Sequence, residues 1–573
     1  MPPRWGRRAP ELAAAAAGLA LFLCLGGGAV IRPGNVAWMG AGDWASHLLG
    51  WLHFRNAAWA LPLGRIDGEL YPVGTTVGFT DSIPLLAIPL KLASPLLPGT
   101  FQYFGAWLAL CFALQGWAGA RLTAVLSDRP LHRALGGALF ALAPPLAARA
   151  VLFRHPSLCA TWLLVGLLAL ALAPAAAAPG PARRALGALG LVLLAAAIHP
   201  TLCALALGLA LALLARSALE GALSWTRAAA WSAAVAALAA ALLALLGYAG
   251  GTPSGAAGFG EFSADLLWPL NGFGASRLLP ALPAGPGQYE GMGAPGLGAL
   301  AAGAAGLALL AAQRRLRPAP GRLRALSPLL GVSLACAAFA LATPITLAGR
   351  PLLSLDAIYA RLGPLTGAFR ASGRFVWPLS LLLTAGALAA LLAALRDRPR
   401  LATAALAGAV ALQAADLSAL PARDLFPARA WRLASPAWEA ARGVRHVAML
   451  PPEIKNGGPS CNGDYAWDDY VPLSELAYRL GATFNSGWTA RLDAGASEAA
   501  CRALLAEALA GALRPDTLYV LHPRMRRHLP PGSARCGEVE GHTVCVAPGT
   551  AGPLATLAAA WTPFPDPSRL DGR

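Results

Sequence analysis

The chain has 573 residues, of which 57% are hydrophobic and 13% are charged, and its formal net charge is +17. Soluble domains have about 25% charged residues, and a lipid-facing surface cannot solvate charge, so the composition excludes an ordinary soluble protein. The basic balance does not indicate nucleic-acid binding, because most arginines in the first two thirds of the chain lie in short clusters between apolar runs. Such clusters are retained on the cytoplasmic side of a membrane. We therefore expect the lipid bilayer as a partner and no nucleic acid.

The first apolar run, Leu12 to Val30, follows a basic N-terminus. No convincing small-residue cleavage site follows it and further apolar runs do, so we interpret residues 12–30 as a retained membrane helix and not as a signal peptide. Residues 31–100 then form a long outer loop. Its apolar stretch from Ser82 to Pro98 is interrupted by prolines, each of which costs about 3 kcal/mol inside a helix. We interpret it as an interfacial or re-entrant segment.

The remaining crossings follow if every basic cluster faces the cytoplasm. They are expected at about 102–124, 134–150, 157–176, two within 186–215, 228–248, 294–312, 325–343, 375–395 and 401–418, with outer loops at 249–293 and 344–374. The sequence thus predicts a transmembrane domain, residues 1–418, with about eleven crossings. It also predicts a cytoplasmic N-terminus and a periplasmic C-terminus in a bacterial inner membrane.

The run from Leu186 to Ala215 contains thirty apolar residues interrupted only by His199-Pro200. One helix of this length would be about 45 Å long, against a hydrocarbon core of about 30 Å, and both of its flanks are basic. A hairpin of two short helices, with His199 near its outer tip, satisfies both constraints. A single kinked and tilted helix is the alternative.

Residues 419–573 are predicted to form a small periplasmic α/β domain. The runs Val444 to Leu450 and Leu518 to Leu521 are typical of strands, and the Ala-rich stretch from Ala494 to Leu513 between them is typical of a helix. This βαβ-like order favours an α/β fold.

Four of the nine cysteines lie in this C-terminal region. An even number in an oxidising compartment suggests two disulfides. A hairpin turning near Glu540-Gly541 would bring Cys536 and Cys545 together, so we expect the pairs Cys536–Cys545 and Cys461–Cys501. Four unpaired thiols in a cytoplasmic tail are the alternative.

Ionisable residues at the membrane boundary are costly without a role, and the first outer loop holds the densest set. Asp43, His47 and Trp51 share one face of a predicted helix, which we expect to lie along the interface. A carboxylate with a histidine one turn away suits proton abstraction from a sugar hydroxyl. An N-cap aspartate on a surface helix is the alternative. Asp81 either caps the following short helix or shares a site with Asp43.

Cationic residues supply the second half of the predicted site. His199 is expected at the tip of its hairpin, where it is either a ligand-binding residue or a satisfied core histidine. Arg149, Arg154 and His155 lie together where the third crossing emerges, and snorkelling is their alternative role. Arg370 and Arg374 precede a crossing that starts outside, and arginine is suited to gripping phosphate oxygens.

Soluble-enzyme signatures are absent from the sequence, which has no Walker A motif, no H-E-x-x-H and no C-x-x-C pair. An ATP-driven pump is therefore not indicated. An activated donor has to come from elsewhere, and we expect it to come from the bilayer.

A first helix, a long outer loop beginning with an aspartate and an amphipathic helix resemble the GT-C superfamily of membrane glycosyltransferases. More closely, six motifs resemble an uncharacterised bacterial family of GT-C-like proteins, a domain of unknown function, over most of the chain. These motifs are Gly42-Asp43-Trp44 with His47, Tyr71-Pro72, Phe79-Thr80-Asp81-Ser82-Ile83-Pro84, Phe101-Gln102-Tyr103, Ile198-His199-Pro200 and Arg370-Ala371-Ser372-Gly373-Arg374-Phe375.

The resemblance implies a polytopic α-helical fold and a polyprenyl-phosphate-linked sugar donor used on the outer face. It implies that Asp43 is the catalytic base or a metal-coordinating carboxylate, with Asp81 as the second ligand of any Mg²⁺ or Mn²⁺ ion. The hairpin with His199 matches the place where related aminoarabinose and mannosyl transferases put a phosphate-binding lysine. Asp43 is followed by Trp44, so the paired-acid version of the superfamily motif is absent.

The resulting hypothesis is an inverting glycosyltransferase that attaches a sugar to a cell-envelope glycan or lipid. Asp43 and His47 would deprotonate the acceptor, Asp81 would orient it, and phosphate would be bound by cationic side chains. These are His199, Arg370, Arg374, Arg154 and His155. The alternatives are a transporter or flippase of lipid-linked glycans and a non-catalytic scaffold for envelope assembly. Charges that gather at one boundary, without an internal repeat, favour chemistry at one face over transport.

Overall fold

A computed structural model describes residues 8–174, 180–249, 258–316, 320–455, 470–551 and 554–555. The chain divides into two compact units. The first, here called the membrane unit, comprises Met1–Asn35, Gln102–Leu243 and Ala256–Pro427. The second, here called the outer unit after the location that the sequence predicts for it, comprises Val36–Phe101, Ala244–Gly255 and Ala428–Arg573.

Helices occupy each of the eleven segments that the sequence marks as crossings. In the described residues they run Ala9–Phe22 with Gly28–Val30, Phe104–Thr123, Pro130–Ala141 with Pro144–Val151, Trp162–Leu172, Pro181–Ile198, Pro200–Leu219, Trp225–Leu245, Leu297–Ala312, Pro320–Leu341, Trp377–Ala394 and Pro399–Leu417. Within the described ranges, seven helical stretches are long and apolar enough to cross a membrane, and the helices Pro156–Leu172 and Leu297–Ala312 are apolar but shorter. The protein is thus mainly helical with several candidate membrane spans, while the count of eleven stays a prediction.

Close helix packing in the membrane unit depends on small residues. A Cβ at Gly18 would overlap the carbonyl oxygen of Phe112, and one at Gly116 would overlap that of Ala14. The Ala9–Phe22 and Phe104–Thr123 helices therefore approach with their backbones nearly in contact. Glycine permits this approach because it has no side chain. In a lipid bilayer no hydrophobic force drives helices together, so close van der Waals contact of this kind stabilises a helix pair.

The predicted hairpin around His199 is present. The helix Pro181–Ile198 ends at His199, which has an extended backbone, and Pro200 begins the helix Pro200–Leu219 at a position that proline favours. The two helices pack against each other. Breaking the run at His199-Pro200 leaves two helices of ordinary length instead of one that is too long for the bilayer.

The outer unit contains a mixed five-stranded sheet. In spatial order its strands are Arg535–Val539, His542–Val546, Thr517–Leu521, His446–Leu450 and Thr483–Phe484. The last three run parallel, and the first two form an antiparallel hairpin. The helix Ala494–Leu509 precedes the strand Thr517–Leu521 and packs on the sheet through Ala508. The predicted strands and the helix between them are therefore confirmed.

Short elements complete the two units. The two-stranded pairs are Arg65–Ile66 with Thr75–Thr76, Ile345–Leu347 with Arg350–Leu353, and Ile454–Lys455 with Gly487–Trp488. The remaining helices are Leu23–Gly27, Ala37–Met39, Asp43–Asn56, Pro84–Leu92, Ser94–Leu96, Pro156–Cys159, Gln288–Gly291, Asp356–Tyr359, Ala360–Leu362, Gly363–Ala368, Ser372–Val376, Pro436–Ala441, Tyr470–Leu480 and Pro523–His528.

The first outer loop folds with the C-terminal region. Within the outer unit, Nε2 of His53 lies 3.0 Å from Oγ of Ser474, and the amide of Tyr71 donates to the carbonyl of Phe484 at 2.8 Å. These contacts join segments that are more than 400 residues apart in the chain. The sequence assigned this loop to residues 1–418, whereas the compact unit combines it with the C-terminal sheet.

The Asp43–Asn56 helix does not have the exposed apolar face expected of an interfacial helix, and its position relative to the membrane stays a prediction. Every residue from Trp44 to Arg55 is buried, and the helix packs against the Tyr470–Leu480 and Pro84–Leu92 helices of its own unit. Large apolar side chains surround the helix instead of forming one stripe, which is the pattern of a buried helix. The sequence interpretation followed one face and overlooked the others.

One predicted disulfide, Cys536–Cys545, is confirmed. The two residues are direct partners across the hairpin, whose turn at Glu540-Gly541 has positive φ at both positions. Such turns match the twist of the flanking strands. Cys461 lies outside the described residues, so the Cys461–Cys501 pair stays a prediction.

Removing this disulfide should destabilise the sheet. The bridge closes a short loop, and in a Cys536→Ser/Cys545→Ser variant the free energy of unfolding should fall by about 2–3 kcal/mol. The melting temperature of the purified chain measures this loss, with Cys24→Ser, which removes an unpaired thiol, as the control. Alkylation of Cys536 or Cys545 in the folded, unreduced protein would contradict the assignment.

Candidate functional site

Asp43 is the first residue of its helix and not its cap. The cap is Gly42, whose φ of 62° and ψ of −150° belong to a region that only glycine adopts readily. No side chain caps this end, so the N-cap interpretation of Asp43 does not hold. Asp43 is half-buried at the N-terminus of this helix. A carboxylate in this position can accept a proton.

His47 is fully buried and holds the turn that contains Asp81. Its Nδ1 lies 2.9 Å from the carbonyl oxygen of Thr80. A carbonyl only accepts, so Nδ1 carries a proton and donates it to Thr80. In return, Oγ of Ser82 donates to the carbonyl of His47 at 2.7 Å. The structure therefore brings the Asp43–His47 motif against the motif around Asp81.

Gly50 permits this approach. A Cβ at Gly50 would overlap the Thr80 side chain and crowd that of Ser82. Asp81 itself has a φ of 55°, a left-handed conformation that aspartate adopts more readily than most residues. The helix Pro84–Leu92 is capped by Ile83 without a side-chain hydrogen bond, so Asp81 is not its cap.

The membrane unit contains a buried cluster of charged residues centred on Glu290. Arg374 forms a bidentate ion pair with it, with Nε at 2.9 Å and Nη2 at 2.7 Å from the two carboxylate oxygens. Arg149 also pairs with this carboxylate and donates to the carbonyl of Glu290 at 2.6 Å. The side chains of Arg149, Glu290 and Arg374 are only 1%, 4% and 14% exposed.

Further contacts fix the two arginines. Nη1 of Arg149 lies 3.0 Å from Nδ1 of His155, and its guanidinium lies over the rings of Phe153 and Trp377. Burial alone raises the pKa of the Glu290 carboxyl, but Arg149 and Arg374 outweigh burial and hold this pKa well below its usual range. The carboxylate therefore stays ionised, and two arginines share one negative charge.

The motif before Arg374 explains how this residue reaches Glu290. The amide of Gly373 donates to the carbonyl of Phe262 at 2.9 Å. A Cβ at Gly373 would lie 2.6 Å from the amide nitrogen of Gly291, which is too close for any other residue. The Ser-Gly-Arg sequence thus presses the start of the Ser372–Val376 helix against the Gln288–Gly291 turn.

The other predicted phosphate-binding residues have individual environments. His199 is buried, and its Nδ1 accepts from the amide of Thr201 at 3.0 Å, so it caps the second helix of its hairpin. The guanidinium of Arg370 lies 5.9 Å from the ring centre of Phe262. Arg154 is half-buried with a φ of 61°, next to His155. Their role in phosphate binding stays a prediction.

The structure adds two carboxylates that sequence reasoning missed. Glu290 lies in a Gly/Pro-rich loop and meets Arg149 from 141 residues away. Glu69 is fully buried in the outer unit, and neither of its carboxylate oxygens has a hydrogen-bond partner among the described residues. In the sequence, Glu290 and Glu69 are each recognisable only as an isolated acidic residue in a long loop with few charges.

The sequence predicts a possible cation site at Asp43 and Asp81. In the part of the chain that the structure describes, no three His, Cys, Asp or Glu side chains are grouped to hold a metal ion. A divalent cation prefers six or more oxygen ligands, of which protein carboxylates usually supply several. We therefore derive no chemical step through a metal.

Replacing Glu290 should destabilise the membrane unit strongly. Glu290→Gln leaves Arg149 and Arg374 as buried, uncompensated charges, which costs about 3–5 kcal/mol. Glu261→Gln, in the same loop but exposed, should change stability by less than about 0.5 kcal/mol. Melting temperatures of the two detergent-purified variants test this difference. Equal melting temperatures would show that the cluster is not a structural centre.

Glu69 should make the outer unit less stable at alkaline pH. Burial raises the pKa of Glu69 from 4.5 to about 8, so the folded chain keeps a proton that the unfolded chain loses above pH 4.5. The resulting stabilisation is complete below pH 4.5. It falls by roughly 1 kcal/mol per pH unit as the pH rises from 4.5, and it is lost as the pH passes through 8.

A Glu69→Gln variant should remove this dependence. Its melting temperature relative to wild type should increase between pH 5 and pH 8, whereas that of Glu498→Gln, which removes an ion pair with Arg502 within one helix, should not. A constant difference between wild type and Glu69→Gln across this range would mean that Glu69 is ionised in the folded protein.

Comparison with known protein families places the chain. A family model described as a domain of unknown function, DUF6311, matches residues 15–418. A second model, described as the DUF6311 C-terminal domain, matches residues 437–547. The search of curated proteins found no match. Since the first model alone covers more than half of the sequence, the chain belongs to the DUF6311 family.

Proposed function

We propose that this chain is an inner-membrane glycosyltransferase of the GT-C type. It moves a sugar from a polyprenyl-phosphate donor to a cell-envelope glycan or lipid. The eleven helical segments all cross the bilayer, with the basic clusters in the cytoplasm and the outer unit in the periplasm. This orientation is supported by the arginines between the helices and by the disulfide Cys536–Cys545, since disulfides persist in the periplasm and are rare in the cytosol.

The cluster of Arg149, His155, Glu290 and Arg374 carries the proposal. Two guanidinium groups and one carboxylate leave a net positive charge in a buried environment, where the bilayer supplies no counter-ion. Arginine binds phosphate oxygens through paired N–H donors. Arg149 lies near the end of one helix and Arg374 just before the start of another. This is where a lipid-anchored phosphate at the membrane boundary would be bound.

The donor phosphate carries the negative charge that grows when the sugar leaves. Fixed positive groups stabilise such charge without reorganising during the reaction. Arg374 is the more exposed of the two arginines, so it is the one that contacts the phosphate. Arg149 and Glu290 hold it in position.

Asp43 supplies the base in this proposal. Its carboxylate accepts the proton of the acceptor hydroxyl while the hydroxyl oxygen forms a bond to the anomeric carbon. The bond from that carbon to the phosphate oxygen breaks, and polyprenyl phosphate leaves. Attack from the face opposite the phosphate inverts the anomeric centre. His47 positions the turn that carries Asp81.

An Asp43→Asn variant tests the proposal directly. The amide cannot accept a proton, so transfer should fall by about 10²- to 10⁴-fold while the melting temperature stays close to that of the wild type. Asp67→Asn, an exposed change in the same unit, should keep full activity. The readout is the mass-spectrometric profile of envelope glycans in a deletion strain complemented with each variant.

Other functions predict other outcomes of the same experiment. A scaffold should restore the strain equally well with Asp43→Asn as with the wild type. A flippase should leave the missing sugar on a lipid carrier that accumulates in the deletion strain and is cleared by the variant. A deletion strain whose glycan profile is unchanged, under conditions in which the wild type is made, would contradict transferase activity.

A further inference from the structure

A cavity of about 270 Å³ lies within the outer unit, between the C-terminal sheet and the helix Ala494–Leu509. The segment from Leu70 to Val73, in the first outer loop, lines another side of it. This segment includes the Tyr71-Pro72 motif, to which the proposed reaction assigns no role. Pockets for drug-sized ligands measure about 300–1,000 Å³, so this cavity suits a ligand about the size of a single ring.

An aromatic pair forms part of the cavity wall. The rings of Tyr71 and His446 are stacked, with centroids 4.7 Å apart and an interplanar angle of 26°. The amide of Tyr71 donates to Phe484, which fixes the backbone of Tyr71 against the sheet. Val73 and Leu504 add aliphatic surface. Flat apolar surface of this kind packs against the C–H face of a pyranose ring.

Polar side chains gather where three parallel strands begin. His446, Thr483 and Thr517 are the first residues of their strands, and all three line the cavity. Nδ1 of His446 lies 2.7 Å from Oγ1 of Thr483, within hydrogen-bond distance. Burial lowers the pKa of His446, which favours the neutral ring. This edge offers hydroxyl and imidazole groups to a ligand's own hydroxyls.

The charges around the cavity are paired. Arg514, which lines it, forms a bidentate ion pair with Glu507 at 2.9 and 3.0 Å. Asp516 lies 3.9 Å from Arg445 and accepts from Oγ1 of Thr517 at 3.2 Å. A site whose charges are already neutralised gains little from an anionic ligand, in contrast to the Glu290 cluster. The chemistry therefore favours a neutral ligand with one apolar face and several hydroxyl groups.

We propose that this cavity binds one neutral hexopyranose ring of the acceptor glycan. That the ring belongs to the acceptor rests on the transferase function proposed above, whereas the recognition of a neutral sugar rests on the cavity alone. The ring packs on the Tyr71–His446 pair and directs its hydroxyls to the starts of the strands. Tyr71 and His446 are specificity-determining residues and take no part in bond formation.

Saturation-transfer NMR on the full-length, detergent-purified chain tests the binding. The probes are the methyl glycosides of glucose, galactose and mannose, with glucose 1-phosphate as the charged comparison. At least one methyl glycoside should receive saturation from the protein, and glucose 1-phosphate should bind no better. Binding of the phosphate ester alone, or of none of the four probes, would overturn the assignment.

Two alanines of the same helix provide a matched pair of variants. Ala500 lines the cavity, and its neighbour Ala499 is exposed. Ala500→Leu fills the space and should weaken binding roughly tenfold or more, while Ala499→Leu should leave it unchanged. Leucine is a good helix former, so both variants should fold, and their melting temperatures check this. Equal binding by both variants would place the sugar elsewhere.

Two variants of Tyr71 separate the contribution of its aromatic ring to binding from that of its hydroxyl group. Tyr71→Phe keeps the stacked surface and should retain binding, whereas Tyr71→Ala should lose it. The two proposals can fail separately. If Ala500→Leu weakens sugar binding but the wild type has no transferase activity, the proposed function is refuted and the cavity remains a sugar site. If the wild type binds no sugar and Ala500→Leu does not change transfer, the cavity assignment is refuted and the transferase function remains.

Discussion

The carboxylate of Glu290 compensates two arginines that come from distant parts of the sequence. Arg149 ends a helix on one side of the Gly/Pro-rich loop, and Arg374 precedes a helix on the other. An unpaired guanidinium in this environment would cost several kcal/mol, so the loop has to return to this position in every molecule. Gly373 permits the close approach that this ion-pair cluster needs, since a Cβ there would lie 2.6 Å from the amide nitrogen of Gly291.

A comparable long-range constraint organises the outer unit. The first outer loop packs against the C-terminal segments, and Glu69 forms a β-bridge with Phe484 at the edge of the sheet. His53, Tyr71 and the Thr75–Thr489 hydrogen bond join the two segments. The candidate base Asp43 therefore lies in a unit built from both ends of the sequence. A change in the C-terminal sheet can alter its environment without touching the first 100 residues.

The sequence predicted the features that depend on local pattern. Apolar runs and their basic flanks located all eleven helical segments, and the turn at Glu540-Gly541 located the disulfide hairpin. Features that depend on distant partners were missed. Glu290 has no local signal that distinguishes it from Glu261, since only the fold brings it to Arg149 and Arg374. The burial of the Asp43–Asn56 helix was missed because its covering helix, Tyr470–Leu480, lies more than 400 residues further along the chain.

The two units differ in how they treat charge, and this difference bears on what each can recognise. In the membrane unit, Arg149 and Arg374 pair with the same buried carboxylate, that of Glu290. Around the cavity of the outer unit, Arg514 is matched by Glu507, and burial favours the neutral form of His446. A glycosyl transfer from a phosphate-linked donor involves one anionic and one neutral substrate. If the proposed function holds, charge favours the Glu290 cluster for the donor phosphate and the cavity beside Tyr71 for a neutral sugar.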